Sequence, residues 1–206
     1  MPDRTYFEIF SLPLHLNIDT ATLEKSFYTL SRKLHPDRFA RRPENEQEAA
    51  LAESSRLNDA YRTLKDPIGR TEYLLKLEGI ELEEQSRAAT DQARAAGTVK
   101  KQVVPEDLLE EAFELNMQLE EMRAAKKMGE DDPQLRQDLT NAKGTFDEKL
   151  ATTDADLQTL WSRWDAAVEA GDSAEKTAAR DGMVALLNRR SYLRNLVRDV
   201  NEALGL

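Results

Sequence analysis

The sequence contains no cysteine and only two histidines, His15 and His35, among its 206 residues. It therefore offers no disulfide, no thiolate nucleophile and no cysteine ligand for zinc or an iron–sulfur cluster. The remaining candidate ligands are carboxylates, which follow no spacing of a metal-binding loop. No activated nucleophile and no glycine-rich phosphate loop are present either. We therefore expect a protein that is not an enzyme and that holds no metal or cofactor.

Glycine and proline are also scarce, with eight and seven residues, whereas 33% of all residues are charged. This composition is typical of a mostly helical protein. No apolar run approaches the roughly 18–20 residues that cross a bilayer. The start, Met1-Pro2-Asp3-Arg4, has no apolar signal core and no Arg/Ser-rich leader. We expect a cytoplasmic protein with no membrane segment.

Positive charge is in the minority, since 29 basic residues face 39 acidic ones and the net charge is -10. Residues 1–78 carry 12 basic and 13 acidic side chains, whereas residues 79–206 carry 17 and 26. The excess of acid therefore belongs to the second part of the chain. A general nucleic-acid binder needs clustered lysine and arginine, so the composition argues against nucleic acid as a partner.

The pattern of breakers divides the chain into three parts. A proline and a glycine interrupt the helical pattern at Asp66–Gly69, and a short apolar patch follows at Tyr73–Leu77. We predict an N-terminal domain over residues 1–78, a polar, alanine-rich linker or mobile arm over 79–104, and a C-terminal domain over 105–206.

The N-terminal domain is predicted to contain two long antiparallel helices with an aromatic segment that covers them. Asp19 or Thr20 caps the first helix, which must stop before Pro36 because the residue preceding a proline avoids helical geometry. The second helix spans about 46–65. The inward positions of the two helices are Leu23, Phe27, Leu30, Leu34, Ala50, Leu57, Tyr61 and Leu64.

The C-terminal domain is predicted to be a three-helix bundle. Its first helix spans about 106–128. The second begins at Asp132-Pro133, a cap followed by proline at the first helical position, and ends at Gly171. The third begins near Asp172 or Ser173. Two tryptophans of the second helix, Trp161 and Trp164, are interpreted as core or domain-interface residues.

The tripeptide His35-Pro36-Asp37 lies in the predicted loop between the first two helices. From Leu23 to Arg42 the local charge is +4, from six basic and two acidic residues. Folding does not need a charged loop, and a basic helix end beside a rigid loop suits an acidic protein partner. Three other interpretations remain open. His35 can stabilise a helix C-terminus through the helix dipole, and Asp37 can cap a turn. In both cases the chain is a structural helical protein. The third interpretation is that His35 and Asp37 form a catalytic pair.

Further residues extend the motif. They are the aromatic start Tyr6-Phe7, the helix end Arg32-Lys33-Leu34, and the run from Leu57 to Pro67, Leu-Asn-Asp-Ala-Tyr-Arg-Thr-Leu-Lys-Asp-Pro. From residue 5 to about residue 75 the chain resembles the J domain of DnaJ-type co-chaperones. The resemblance implies docking on a DnaK-type chaperone and stimulation of its ATPase. The residues that it implicates are His35, Pro36 and Asp37, with Lys25, Arg32, Lys33 and Arg38 for steering and contacts.

The junction from Asp66 to Leu75 is similar to that of the HscB family, the J-type co-chaperones of iron–sulfur cluster biogenesis. This resemblance implies an L-shaped connection between a J domain and a C-terminal three-helix bundle. It further implies that the bundle binds the cluster scaffold protein IscU and delivers it to the DnaK-type partner HscA. The alternative is a J-domain co-chaperone whose bundle recruits a different client to a general DnaK.

The predicted helix from residue 106 has more apolar positions than one packed face needs. Its core stripe is Leu108, Ala112, Leu115, Leu119 and Met122. A second stripe, Leu109, Phe113 and Met117, begins about 100° further round the helix. This second stripe is either part of a wide core face or cover for the N-terminal domain, or an exposed surface for a partner.

The HscB resemblance assigns a role to that second stripe. By pattern, Leu109, Phe113 and Glu114 align with scaffold-contacting residues, and Tyr192 on the last helix aligns with an aromatic contact. Met117, which we include in the predicted contact set, stands where HscB proteins often have an acidic residue. The segment 81–105 is also longer than the connection of the shortest family members.

Overall fold

The computed structural model describes residues 4–80, 82 and 105–206. This part of the chain consists of α-helices, short 3₁₀ turns and loops, without a β-strand, so the predicted all-α class is confirmed. The helices are α1 (Tyr6–Ile9), α2 (Thr20–Leu34), α3 (Glu44–Lys65), α4 (Pro67–Leu77), α5 (Leu109–Met128), α6 (Pro133–Ala170) and α7 (Ser173–Leu204). Within the same residues no helix has the length and hydropathy of a membrane span.

The chain forms two compact units. The first unit comprises Met1–Leu82 with Leu160–Asp181, and the second comprises Glu83–Thr159 with Gly182–Leu206. The boundary between the units therefore lies within α6 and α7. The predicted domains, by contrast, are continuous in sequence. Their bounds stay a prediction. Most of the predicted linker, 79–104, lies outside the described residues.

In the first unit, α3 packs against α1, α2 and α4. The predicted start of α2 is confirmed, because the Asp19 carboxylate caps it by accepting a hydrogen bond from the Ala21 amide at 2.9 Å. The helix ends at Leu34, ahead of Pro36, as predicted. The core of this unit is built from apolar side chains of all its helices. It includes Phe7, Phe10, Leu16, Leu23, Ala50, Leu57, Ala60, Leu64, Leu74 and Leu75.

The break predicted at Asp66–Gly69 is the start of a helix that our prediction missed. Asp66 ends α3 and also caps α4, since its carboxylate accepts hydrogen bonds from the Ile68 and Gly69 amides at 3.4 and 3.0 Å. Pro67 occupies the first helical position, where its missing N–H costs nothing. Both residues mark a helix N-terminus, and the apolar patch that follows is the buried face of α4.

The end of α6 that belongs to the first unit packs on the loop before α2. Trp164 is fully buried, and its indole N–H donates to the Leu14 carbonyl at 3.0 Å. The Asp165 carboxylate accepts hydrogen bonds from the Leu16 and Asn17 amides at 2.7 and 2.9 Å. Trp161 is 7% exposed, so the interpretation of both tryptophans as core or interface residues agrees with their burial.

The second unit is a helical bundle of α5 with parts of α6 and α7. A 3₁₀ turn at Glu106–Leu108 precedes α5, so the α-helix begins slightly later than predicted. The Asp132 carboxylate caps α6, accepting from the Gln134 and Leu135 amides at 2.9 and 3.0 Å. The core contains side chains from all three helices. Its buried members are Leu108, Ala112, Leu115, Leu119, Met122, Leu135, Leu139, Phe146, Tyr192, Leu193, Leu196 and Val200.

Candidate functional site

The tripeptide His35-Pro36-Asp37 follows α2 directly, and we call it the tip loop. His35 has φ -59° and ψ 127°, an extended conformation that ends the helix, and a 3₁₀ turn follows at Pro36–Phe39. The His35 and Asp37 side chains are 55% and 89% exposed. Neither is needed for the core, so the tip loop presents an imidazole and a carboxylate to solvent.

Local hydrogen bonds hold the tip loop in one conformation. The Asp37 amide donates to Nδ1 of His35 at 3.3 Å, and the Arg38 amide donates to the His35 carbonyl at 3.0 Å. The Asp37 carboxylate lies 3.5 Å from the same Nδ1. Arg38 reaches back and donates to the Arg32 carbonyl at 3.2 Å, which satisfies a carbonyl at the C-terminus of α2. Arg38 therefore ties the tip loop to the helix.

The predicted basic residues of α2 form a cationic face next to the tip loop. Lys25 and Arg32 are seven residues apart, which is two helical turns, so they lie on the same side of α2. Both are exposed, as is Lys33. No acidic side chain in the described part of the chain forms an ion pair with any of these three residues. Their charge is therefore available for an acidic partner.

The structure separates the two apolar stripes of α5. The core stripe is at most 3% exposed, whereas Leu109, Phe113 and Met117 are 52%, 67% and 60% exposed. We call these three residues the outer stripe. Glu114 lies beside it and is also exposed. Exposed apolar side chains aligned along one helix are typical of a protein-binding surface.

Ion pairs fix the N-terminal part of α5 to the rest of its unit. Arg189 of α7 donates two hydrogen bonds from one nitrogen to the Asp107 carboxylate, at 2.7 and 2.6 Å. This hydrogen bonding to Arg189 lowers the pKa of Asp107 below its ordinary value. Lys149 of α6 lies 3.0 Å from Glu111. The outer stripe is thus carried by a helix that is anchored on both neighbours.

Tyr192 is buried, unlike the residues of the outer stripe. It is 7% exposed and belongs to the core cluster of the second unit, and burial raises the pKa of its hydroxyl. The contact of Tyr192 with the scaffold, which the resemblance implied, stays a prediction.

Sequence comparison identifies the N-terminal part of the chain. Residues 5–73 match the model of the DnaJ domain. A protein of Vibrio cholerae serotype O1 named co-chaperone protein HscB homolog is 46% identical over 77 residues, which are 37% of this chain and 45% of the relative. The homolog from a second strain is 41% identical over 86 residues, which are 42% of this chain and 50% of the relative. The chain thus spans half or less of the relatives that it matches.

Structural comparison extends over the full length. The crystal structure of human co-chaperone protein HscB covers 100% of this chain, and the chain covers 85% of the human protein, with a TM-score of 0.58 and 23% identity. At this identity the likeness establishes the fold. The likeness assigns no role to any residue of this chain.

Proposed function

We propose that this chain is a J-domain protein of the HscB family, a co-chaperone that stimulates the ATPase of a DnaK-type chaperone. The observation that carries this proposal is the exposed, hydrogen-bonded tip loop beside the cationic face of α2. The tip loop supplies no nucleophile and no metal ligand set. Its role is to bind, and the hydrolysis of ATP takes place on the partner.

Stimulation by a bound protein follows from differential affinity. If the tip loop and the cationic face bind the hydrolysing conformation of the chaperone more tightly than its resting conformation, binding shifts the chaperone toward hydrolysis. The hydrogen bonds from Asp37 to His35 and from Arg38 to Arg32 hold the tip loop before binding. Little conformational entropy is then lost on docking.

The second part of the proposal concerns the client. The outer stripe, with Glu114 at its edge, binds the iron–sulfur scaffold protein IscU, and the chain delivers this scaffold to an HscA-like chaperone. The exposure of Leu109, Phe113 and Met117 supports this role, because a partner that covers these apolar side chains removes them from water. Met117 adds apolar area to the contact where many HscB proteins have an acid, and Tyr192 supports the helix from the core.

Calorimetric titration with the IscU scaffold of the same organism tests this part. We expect micromolar binding, and a loss of roughly tenfold or more in the Leu109→Ala/Phe113→Ala double variant. Leu51→Ala is the matched control, because Leu51 is 61% exposed but lies on α3 in the first unit. His35→Gln should leave scaffold binding intact and abolish ATPase stimulation.

The opposite result favours the alternative function. If the scaffold does not bind while ATPase stimulation is intact, the chain is a J-domain co-chaperone that recruits a different client to a general DnaK. If neither activity is present, the co-chaperone proposal itself fails. A substrate turnover by the chain alone that is lost in His35→Gln would instead identify a catalytic pair.

A further inference from the structure

One large aromatic side chain of the first unit has no place in the core. Tyr28, in the middle of α2, is 57% exposed. Its neighbour Phe27 provides the aromatic packing of the helix, since the Phe27 ring stacks on the Tyr61 ring with centroids 4.2 Å apart and an interplanar angle of 13°. The fold therefore does not account for a tyrosine at position 28.

The surroundings of Tyr28 are cationic. Lys25 lies three residues before it and Arg32 four residues after it, so both stand beside it on the same face of the helix. The acidic residue nearest in sequence, Glu24, is already engaged, since it accepts a hydrogen bond from the Tyr61 hydroxyl at 3.1 Å and lies 3.8 Å from Lys65. Within the residues that the structure describes, no acidic side chain forms an ion pair with Lys25 or Arg32, so the exposed Tyr28 ring lies between two positive charges.

A rigid aromatic group supports this ring. The Tyr28 and Phe27 rings are 5.6 Å apart in a tilted arrangement, and Phe27 rests in turn on Tyr61. The Tyr61 hydroxyl accepts a hydrogen bond from Nζ of Lys65 at 3.1 Å, which raises the pKa of Lys65 and holds its charge at the edge of the group. Tyr28 consequently projects from a fixed base, and docking costs it little conformational freedom.

We propose that Tyr28 is the aromatic anchor of the chaperone-docking face and inserts into an apolar spot within an acidic surface of the DnaK-type ATPase. This inference rests on the proposed function and adds a contact residue to it. Lys25 and Arg32, three residues before the ring and four after it on the same helix, pair with carboxylates around that spot. Two observations favour this partner. The positive charge of the face is complementary to an acidic surface. The face is also continuous with the tip loop, because Arg38, directly after the tip loop, donates a hydrogen bond to the Arg32 carbonyl at the end of α2.

We expect the Tyr28 ring to contribute more to the affinity for the chaperone than the charges of Lys25 and Arg32 do. Exposed ion pairs contribute little once they are screened by salt, whereas a tyrosine buried at the centre of an interface is a frequent hot spot. The cations accelerate and orient the encounter. Removal of the ring should therefore weaken binding, whereas the intact tip loop should still stimulate the chaperone at saturation.

The experiment measures ATPase stimulation of the DnaK-type chaperone of the same organism as a function of the concentration of the full chain. For Tyr28→Ala we expect the half-saturating concentration to rise about tenfold with unchanged maximal stimulation. Tyr28→Phe keeps the ring and should stay within about twofold of the unmodified chain. Leu77→Ala, at a 40% exposed apolar residue on α4, is the matched control and should have no effect.

Folding of the variants is checked by the melting temperature, with Tyr28→Gln as a second substitution that removes the ring. A half-saturating concentration of Tyr28→Ala within about twofold of the unmodified chain overturns the anchor. A lower maximal stimulation at an unchanged half-saturating concentration also overturns the anchor. Binding of single-stranded DNA that depends on Tyr28 overturns it as well, because the ring would then serve a nucleic-acid partner. An unmodified chain that does not stimulate at all rejects the proposed function; normal stimulation with Tyr28→Ala rejects only the anchor.

Discussion

The cationic face of α2 and the outer stripe of α5 are both exposed helix faces, but they differ in the force by which each is proposed to bind a partner. The first presents lysine and arginine beside the tip loop, and the second presents leucine, phenylalanine and methionine. Charge acts over about a Debye length and governs encounter and orientation. Apolar area acts only at contact and governs how long a complex lasts. In the proposed function, one surface of the chain steers a partner and the other holds one.

The largest effect in this comparison is expected for the tip loop. His35→Gln should reduce ATPase stimulation to the basal rate, because it removes the imidazole that accepts the Asp37 amide hydrogen bond. The free energy of unfolding should change by no more than about 0.5 kcal/mol, since the side chain is exposed. A steady-state ATPase assay and urea unfolding give the two values. His15→Gln, at the other histidine, is the control, and unfolding of His35→Gln would assign the residue to the structure.

The next effect separates the two stripes of α5. Leu115→Ala truncates a side chain that is 1% exposed, and we expect it to lower the free energy of unfolding by about 2–5 kcal/mol. Phe113→Ala, two residues away and 67% exposed, should change it by about 0.5 kcal/mol or less. Urea unfolding of both variants measures the difference. Equal losses would place the outer stripe in the core.

A smaller effect is expected from salt. Between about 50 and 500 mM sodium chloride, the half-saturating concentration for ATPase stimulation should rise several-fold, because the charges of the cationic face are screened. The dissociation constant of the scaffold should change by less than about twofold, because apolar contact is insensitive to screening. Titrations at both salt concentrations test this contrast. Equal salt dependence would show that the outer stripe does not carry the scaffold contact.

The smallest effect concerns the ion pair that anchors α5. The Arg189 hydrogen bonds lower the pKa of Asp107 in the folded state, so the pair stabilises the fold above the unfolded pKa of about 3.9. That contribution is lost as the pH falls through the folded value. The Asp107 carboxylate is exposed, so Asp107→Asn should cost less than about 1 kcal/mol at pH 7.

Urea unfolding between pH 7 and pH 3 is the measurement for this ion pair. Asp107→Asn should flatten the loss of stability at the acid end, since the variant has no carboxyl to protonate. Glu130→Gln, at an exposed residue in the loop after α5, is the control and should leave the acid end unchanged. Identical pH dependence in Asp107→Asn and the unmodified chain would contradict the stabilising role of the pair.

Local chemistry made most helix ends predictable. Asp19, Pro36, Asp132 and Gly171 act through the backbone groups of residues within one turn, so their effect is visible in sequence. Helix α4 was not predicted from the sequence. Asp66 and Pro67 end one helix and begin the next, and a proline next to a glycine is equally consistent with a loop.

The candidate sites divide in the same way. The tip loop and the cationic face were predicted because their residue types and spacing form a motif, and the structure places them on one exposed helix end. The sequence analysis did not select Tyr28, because an aromatic residue next to Phe27 is consistent with either core or surface. Tyr192, which the resemblance implied as a scaffold contact, is 7% exposed and lies in the core cluster, and its contact with the scaffold stays a prediction. The signal that would have found Tyr28 is its position opposite the inward residues of α2.

The sequence by itself determined the helical class, most of the helix ends and the charged tip, because each depends on neighbours within a few residues. Only the tertiary structure decided which apolar stripe of α5 is covered, and that residues 160–181 belong with the N-terminal unit. Both stripes have helical spacing and similar hydrophobicity, so periodicity does not rank them. Burial is decided by helices that are distant in sequence, and α6 and α7 pack on one side of α5.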